Sequence, residues 1–300
     1  MARFEIVGLL WGMSLAAIAQ PHRKSIRVVK IIETTAHYIA LITIASMLAL
    51  PLVWMVSTSL KPRKEVFKFP PQFIPQTIQW ENYQDAWEAQ PFGRFTFNSF
   101  KVAILSIIGQ IMFCSMAGYG FARFDFPFKN QLFAMLLAAM MIPGIVNIVP
   151  VFIMYKHLGW LDNHISLIAA PAIANTFGTF LYRQFMMTIP QELVDAAKID
   201  GASAWGIYWR IMMPLTKPVA AVLATLTFFS SWNSFFEPLV FLKSTEQFTV
   251  TIGLATFRQE EGTIWNLLMA ASVITLLPSL IIFMFTQRYF VRGIVTTGLK

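Results

Sequence analysis

Few side chains in this 300-residue chain have types and spacing that could do chemistry. None of the four histidines is near the single cysteine, Cys114, and no H-x-x-x-H or C-x-x-C pattern occurs, so we expect no metal site. The nucleophile elbow G-x-S-x-G is also absent. The sequence therefore predicts no catalytic residue, and Cys114 is expected to be a small buried apolar residue.

The most informative polar segment is residues 188–217, TIPQELVDAAKIDGASAWGIYWRIMMPLTK. Thr188 and Gln191 have the spacing of a capping box, and Gly201 stands where a helix would end in a left-handed residue. Ser203 can cap a second, aromatic-rich helix, which Pro214 is expected to end. The segment therefore predicts a helix–turn–helix rather than a plain linker between two larger elements.

One face of the first predicted helix is built largely from small residues. Residues at positions i, i+3, i+4 and i+7 share a helix face. Here they are Leu193, Ala196, Ala197 and Asp200. The small pair Ala196 and Ala197 leaves room for a close partner, while Glu192 and Asp195 lie near the positive end of the helix dipole.

Long uncharged stretches predict the elements that hold this polar segment. A helix needs about 20 mainly apolar residues to cross a bilayer, and charge at the bilayer centre is costly. On this basis we predict an all-α integral membrane protein with six spans. The predicted spans are residues 36–59, 97–121, 131–155, 166–187, 218–242 and 263–287. Residues 188–217 then form a loop between the fourth and fifth spans.

The composition agrees with a membrane protein and excludes most soluble classes. Hydrophobic residues make up 56% of the chain, while charged residues make up 13%, about half the share in a soluble domain. The mean hydropathy is +0.60. The net charge of +8 fits basic residues at the cytoplasmic ends of spans better than nucleic-acid binding, so we expect no nucleic-acid partner.

The topology follows from the charges only in part. With both termini in the cytoplasm, Lys and Arg are enriched on the inner side. The enrichment is mild, because the predicted external loop near residues 61–94 is itself basic. Residues 1–30 form an N-terminal appendage whose short apolar stretch suits a span, a cleaved signal or a surface segment. We favour an uncleaved segment that lies at the membrane surface.

Residues 188–217 resemble the EAA loop of the inner-membrane permeases of bacterial ABC importers. The family pattern is E-A-A-x-x-x-G, then nine residues, then I-x-L-P. Asp195 stands at the Glu position and Met213 at the Leu position, and the other pattern residues are Ala196, Ala197, Gly201, Ile211 and Pro214. Residues 31–300, including SWNSFFEPLVFL at 231–242, look like the maltose-type carbohydrate permeases.

This resemblance implies a type I importer permease, a six-helix half of a pore in the bacterial inner membrane. The loop at residues 188–217, hereafter the coupling loop, would dock into a separate cytoplasmic ATPase dimer, which uses ATP and Mg²⁺. The chain itself has no G-x-x-x-x-G-K-[ST] phosphate loop and is expected to need no cofactor. The residues implied in coupling are Glu192, Leu193, Asp195, Ala196, Ala197, Asp200, Gly201, Ala202, Ile211 and Pro214.

The resemblance also implies partners and a substrate class. A second permease subunit, an external substrate-binding protein and membrane lipid are the further partners. The substrate would be an oligosaccharide or related carbohydrate. Residues 179–203 are also similar to sn-glycerol-3-phosphate permeases, so sn-glycerol-3-phosphate or another polyol is the alternative substrate. A bulky residue at Gly201 or Ala197 is expected to uncouple transport, in the second case by a clash with the ATPase.

Polar residues inside the spans are candidates for the translocation path. Glu237 is the only acid in a predicted span, and intramembrane acids often mark a transport route. Asn233 could form hydrogen bonds with sugar hydroxyls, and Trp232 could offer a flat face to a sugar ring. The alternatives are that Trp232 packs in the core and that Glu237 has a structural pairing role. The full set is Asn147, Asn175, Trp232, Asn233 and Glu237.

Two other classes of protein are weaker alternatives. An ion-coupled secondary transporter would need inverted repeats and several intramembrane ionisable groups, and we find no clear repeat and one such acid. An intramembrane enzyme would need a catalytic constellation, which the sequence lacks.

Overall fold

In the computed structural model of the chain, the described residues are 23–297 except 174, 260 and 261. Over these residues the fold is helical, with one short hairpin. The α-helices are α1 (Arg23–Ser59), α2 (Glu81–Glu88), α3 (Phe92–Arg123), α4 (Lys129–Ala139), α5 (Ile148–Leu158), α6 (Ile165–Ile173), α7 (Thr176–Thr188), α8 (Gln191–Ile199), α9 (Ala204–Ile207), α10 (Met213–Leu215), α11 (Lys217–Asn233), α12 (Phe236–Phe241), α13 (Val250–Ala255) and α14 (Trp265–Thr297).

Short irregular elements connect these helices. They are 3-10 helices at Arg63–Glu65, Gly144–Asn147 and Thr245–Gln247, a π-helix at Tyr208–Met212, and the antiparallel strands β1 (Arg258–Gln259) and β2 (Gly262–Thr263). In the hairpin, Arg258 pairs with Thr263 and Gln259 with Gly262.

Four helical segments of the described chain are long and apolar enough to cross a membrane. They are Lys30–Ser59, Phe92–Arg123, Ile165–Thr188 and Trp265–Gln287. Two further pairs pass the same test if each bent pair counts as one span. The pair Lys129–Ala139 and Gly144–Leu158 bends by 92°, and the pair Ala204–Leu215 and Lys217–Asn233 bends by 72°.

Helix breaks make three of the predicted spans discontinuous, and the fourth, 166–187, is divided between α6, which ends at Ile173, and α7, which begins at Thr176. The third predicted span, 131–155, is interrupted after α4, where Pro143 precedes a 3-10 turn. Proline lacks the N–H that a continuing helix needs. The fifth, 218–242, holds two helices rather than one, because α11 ends at Asn233 and Ser234 is extended before α12 begins.

The chain divides into two compact units, residues 1–54 and 55–300. In the first unit, the side chains from residue 30 to residue 53 of α1 are exposed and mostly apolar. Such a surface is unfavourable in water and suits a lipid or protein neighbour within the membrane.

In the second unit, α3 packs against α6, α7 and α11. Glycines allow a close approach between these helices. A Cβ built on Gly118 would lie 2.6 Å from the Cβ of Tyr182, and one on Gly109 would lie 2.4 Å from the Cβ of Ala172. The bundle is therefore held by close backbone packing along α3.

Asn82 of α2 ties together the segments at one end of this unit. Its Nδ2 donates to the carbonyls of Ser59 (2.8 Å) and Lys61 (2.9 Å), and its Oδ1 accepts from Nδ2 of Asn266 at 2.9 Å. One buried amide thus links the end of α1, the loop that follows it, and the start of α14.

Candidate functional site

The first helix of the coupling loop, α8, ends in a Schellman motif. The N–H of Ala202 donates to the carbonyl of Ala197 at 2.9 Å, and that of Gly201 donates to the carbonyl of Lys198 at 3.0 Å. Gly201 has φ +79°, a left-handed backbone that glycine adopts without steric cost. The predicted left-handed turn at Gly201 is confirmed.

The start of α8 differs from the predicted capping box. The Thr188 hydroxyl donates to the carbonyl of Phe185 in the preceding helix, and Nε2 of Gln191 donates to Oδ1 of Asp195 at 3.0 Å. Pro190 is the N-cap, and Thr188 is still the last residue of α7. The capping box was therefore wrong, because the two helices are too closely spaced for Thr188 to leave α7.

The second helix of the coupling loop is capped as predicted but ends later. Oγ of Ser203 accepts from the N–H of Gly206 at 3.2 Å. Pro214 does not end the helix, because a π-turn over Tyr208–Met212 precedes it and helical residues continue to Leu215. A π-helix changes which carbonyl faces each N–H, so proline, which has no N–H, is accommodated shortly after it. The chain then bends before α11.

The two faces of α8 have different surroundings. Val194 and Ala197 point into a buried cluster of the chain itself, with Ile189, Ile207 and Tyr208. Ala197 is 8% exposed, so a larger side chain there would clash with this cluster, and the predicted clash with an ATPase was wrong. Ala202 and Ile211 also pack against the same cluster.

The opposite face of α8 is free among the described residues. Leu193 is 47% exposed and Ile199 is 87% exposed. The remaining exposed residues of the predicted coupling set are Glu192, Asp195, Ala196, Asp200, Gly201 and Pro214. Asp195 makes an exposed ion pair with Lys198 at 3.7 Å. The predicted single face is thus divided, because Ala197 is buried within the chain while Leu193, Ala196 and Asp200 are exposed.

A cavity of about 400 Å³ lies among α3, α5, α6, α7, α11 and α12. Three of the five predicted path residues line it, namely Asn147, Asn175 and Glu237. Asn147 and Asn175 sit at helix breaks, directly before α5 and α7. Oδ1 of Asn175 accepts from the N–H of Gly178, and the Ser234 hydroxyl donates to Oε2 of Glu237.

The other two predicted path residues do not line the cavity. Trp232 is 1% exposed and packs against Phe228 and Phe100, and its indole N–H donates to the carbonyl of Thr275 at 3.1 Å. Asn233 donates to the carbonyl of Phe229 in its own helix and is exposed. Neither residue therefore lines this cavity, and their assignment to the translocation path stays a prediction.

Sequence reasoning missed a polar stripe on α11. The cavity is lined by Thr227, Ser230 and Ser231, which follow the i, i+3, i+4 spacing of one face of α11, and by Ser234 directly after the helix. This spacing within an apolar span was a usable signal. Gln110 of α3 also lines the cavity, and the sequence analysis did not single it out. Among the described residues, no group of three His, Cys, Asp or Glu could hold a metal ion.

Side-chain bonds hold the loop that follows α12. Asp162 accepts from the backbone N–H groups of Lys243 and Ser244, each at 2.8 Å, and from the Ser244 hydroxyl. The Ser244 hydroxyl and these N–H groups hold the pKa of the Asp162 carboxyl below its usual value. The ring of His164 donates from Nε2 to the carbonyl of Gln247 at 2.8 Å, and burial lowers the pKa of that ring.

A match to a family model identifies the family of this chain. The model of the binding-protein-dependent transport system inner membrane component matches residues 110–296, more than half of the chain. The chain belongs to this family. It is therefore a multi-pass membrane permease component, and the family resemblance found in the coupling loop is confirmed over residues 110–296.

Relatives within this permease family extend the match over most of the chain. The arabinooligosaccharides transport system permease protein AraQ of Halalkalibacterium halodurans is 35% identical over 260 residues, covering 86% of this chain and 93% of the relative. The sn-glycerol-3-phosphate transport system permease protein UgpE of Yersinia enterocolitica is 36% identical over 239 residues, covering 77% and 85%.

Solved structures of ABC transporters share the fold of this permease. A bacterial ABC transporter involved in the import of the acidic polysaccharide alginate matches with a TM-score of 0.78 and 21% identity, over 91% of this chain and 100% of that one. A bacterial alginate ABC transporter in complex with a periplasmic protein bound to alginate pentasaccharide matches with a TM-score of 0.63 and 17% identity.

Proposed function

We propose that this permease is part of an ATP-driven importer that passes a sugar from an external binding protein into the cytoplasm. The coupling loop docks on a separate ATPase dimer, which binds ATP and Mg²⁺. A second permease subunit completes the pore, and both termini and the coupling loop face the cytoplasm. The observation that carries this proposal is that α8 buries one face within the chain and leaves the opposite face exposed.

The burial of α8 suits a docking element. A nine-residue helix is too short to be stable alone in water, so its shape depends on the packing of Val194 and Ala197. That packing presents Leu193 and Ile199 outward in a fixed geometry before any partner binds. Rigid, exposed apolar residues reduce the ordering cost of association, which favours a protein partner at this surface.

The cavity supports a neutral, hydroxyl-rich substrate. Its polar lining offers hydroxyl groups from α11, the amides of Asn147 and Asn175, and the carboxylate of Glu237. None of the described residues that line it is Lys, Arg or His. Hydroxyls and amides can exchange hydrogen bonds with a sugar, while a buried anion would lack a compensating charge. AraQ is named for arabinooligosaccharides, and an oligosaccharide is the substrate class we favour.

The similarity to UgpE makes sn-glycerol-3-phosphate the second candidate. Its phosphate would meet Glu237 in the cavity without a basic side chain from this chain. An import assay with the reconstituted system separates the two candidates. We expect a neutral oligosaccharide to be taken up and an excess of glycerol-3-phosphate not to compete. Competition by glycerol-3-phosphate would assign the phosphate substrate instead.

The energy source is tested with the same vesicles. We expect uptake to require ATP at the face that carries the coupling loop and to persist when an uncoupler removes the proton gradient. Uptake that follows the gradient and ignores ATP would show an ion-coupled secondary transporter and would end the proposal.

Docking is tested with Ile199→Glu. The exposed side chain makes few contacts within the chain, so the variant should fold normally, while a charge in an apolar interface should abolish co-purification of the ATPase. Ile74→Glu is the matched control, since Ile74 is 82% exposed in the loop before α2. Normal ATPase binding by Ile199→Glu would place the docking surface elsewhere.

A further inference from the structure

Arg123, the last residue of α3, joins three helices at the start of the coupling loop. Its Nη2 donates to the carbonyls of Met186 (2.7 Å) and Ile189 (2.6 Å). Its Nη1 donates to Oε1 of Gln191, the first residue of α8. One guanidinium therefore links the end of α3 to the end of α7 and the start of α8.

This arrangement depends on the shape and charge of arginine. The last carbonyls of a helix have no partner within the helix and carry the negative end of its dipole. A planar guanidinium can bind two carbonyls with one nitrogen while it binds Gln191 with another. Arg123 is half-buried, so water competes only in part for these bonds.

Two further contacts continue from Arg123 along the same face of α3. The hydroxyl of Tyr119 donates to the carbonyl of Ala204 at 3.3 Å, and the hydroxyls of Ser115 and Tyr208 are 2.6 Å apart. Residues 115, 119 and 123 are spaced by four, so they lie on one helix face. This polar seam of α3, defined as Ser115, Tyr119 and Arg123, contacts both helices of the coupling loop.

The same helix reaches the cavity. Gln110, between the seam and the middle of α3, lines the cavity and bonds to Thr227 of α11. Since α3 is one uninterrupted helix from Phe92 to Arg123, a displacement of its end is carried along its length. The polar seam and Gln110 thus connect the coupling loop and the cavity through a single rigid element.

We propose that the polar seam transmits movements of the coupling loop to the cavity, and that Arg123 is the positioning residue that makes α8 move with α3. This inference rests on the proposed docking of an ATPase. Gln191 relays the position of Arg123 outward, because it accepts from Arg123 and donates to Asp195, which lies at the Glu position of the EAA pattern. Without Arg123, α8 stays docked on the ATPase but no longer moves together with α3.

A coupling role and a merely stabilising role of Arg123 give different results. A helix cap that only stabilises would, when removed, lower the yield and the melting temperature without changing the response of the assembled transporter. A coupling residue changes the ratio of ATP hydrolysis with and without substrate-loaded binding protein, even in complexes that are fully assembled.

The test uses the complete transporter in lipid vesicles, with the second permease, the ATPase and the binding protein. The variants are Arg123→Gln, Arg123→Lys and Gln191→Ala. Arg183→Gln is the matched control, because Arg183 is a nearby arginine whose guanidinium lies over the ring of Phe133, 4.0 Å from its centroid. Co-purified ATPase, melting temperature, uptake and the stimulation of ATP hydrolysis are measured for each.

We expect Arg123→Gln to retain the ATPase but to lose about tenfold in substrate-stimulated hydrolysis and uptake. Arg123→Lys should not restore coupling, since one ammonium cannot reproduce the fork. Gln191→Ala, at an exposed site, should fold as the wild type and lose about threefold. Arg183→Gln should couple normally.

Two results would overturn the inference. Wild-type stimulation in Arg123→Gln or in Gln191→Ala would show that the seam does not transmit. Rescue by Arg123→Lys, with losses that follow only the melting temperature, would show a stabilising cap. A failure of the proposed function is recognised separately, because the wild-type complex itself would then bind no ATPase or show no ATP-driven uptake, and the inference would fall with it.

Discussion

The Thr227 hydroxyl donates a hydrogen bond of 2.6 Å to Oε1 of Gln110, and both buried residues line the cavity. The bond joins α11, which carries the polar stripe, to α3, which carries the polar seam. A cavity between helices needs such links, because lipid provides little hydrophobic force between helices. The pair therefore helps to set how far α11 stands from α3.

Removal of this hydroxyl should destabilise the bundle. Thr227→Val keeps the shape but leaves Oε1 of Gln110 without its partner, so we expect a loss of about 1 kcal/mol in the free energy of unfolding. Thr225→Val is the matched control, because among the described residues the Thr225 hydroxyl bonds to the carbonyl of Ala221 in its own helix. Denaturant unfolding in detergent measures both variants, and equal losses would contradict a specific role of the pair.

Glycine at position 118 should be required for packing. A Cβ there would lie 2.6 Å from the Cβ of Tyr182 and 2.9 Å from the N of Arg183, so Gly118→Ala should force α3 and α7 apart and cost about 1–3 kcal/mol. Gly120→Ala is the control on the same helix, since a Cβ at Gly120 meets nothing within 4 Å. Melting temperatures in detergent compare the two, and a tolerated Gly118→Ala would show that the helices can separate without cost.

The turn of the coupling loop should need a left-handed residue at position 201. The site is sterically open, and φ is +79°, so the cost of a substitution arises from the backbone alone. Gly201→Val should strain the turn by about 1–2 kcal/mol, whereas Gly201→Asn should be tolerated, because asparagine adopts this conformation.

Substrate-stimulated ATP hydrolysis in the assembled transporter measures the effect at position 201. We expect the valine variant to be uncoupled while its bundle remains folded, and the asparagine variant to resemble the wild type. Full coupling in Gly201→Val would mean that the turn conformation is not important for docking.

The hydrogen bonds that Asp162 accepts from Lys243 and Ser244, hereafter the Asp162 clamp, should make the stability of the fold depend on pH. Its pKa is depressed in the folded state, so the ionised carboxylate contributes stability above the usual pKa of about 3.9, and this contribution is lost as pH falls through the lower folded pKa. We expect Asp162→Asn to melt below the wild type at neutral pH and the difference to shrink in acid. Asparagine tolerates the φ of +56° at this position, so the backbone is not a confounding factor.

The control for the Asp162 clamp is Asp125→Asn. Asp125 is exposed and pairs with Lys129 four residues away at 3.2 Å, so it should contribute little at any pH. Thermal unfolding across the acid range measures both variants. A difference between Asp162→Asn and wild type that stays constant with pH would rule out the carboxylate as the cause.

The sequence by itself determined the class of protein and the turn chemistry of the coupling loop. Long uncharged stretches exclude a soluble fold, and Gly201 and Ser203 have local roles that depend on few neighbours. The EAA pattern identified the family from a short segment for the same reason. These features act over a few residues, so they can be interpreted without knowing what packs against them.

Tertiary structure decided which way each side chain points. Ala197 turns inward and Ala196 outward, Trp232 packs in the core while Ser231 reaches the cavity, and Arg123 meets carbonyls more than 60 residues away in the chain. Helix breaks and rotations depend on packing between distant segments, and in an apolar span every face is hydrophobic enough to be buried. Periodicity alone therefore could not separate the face toward the cavity from the face toward the core.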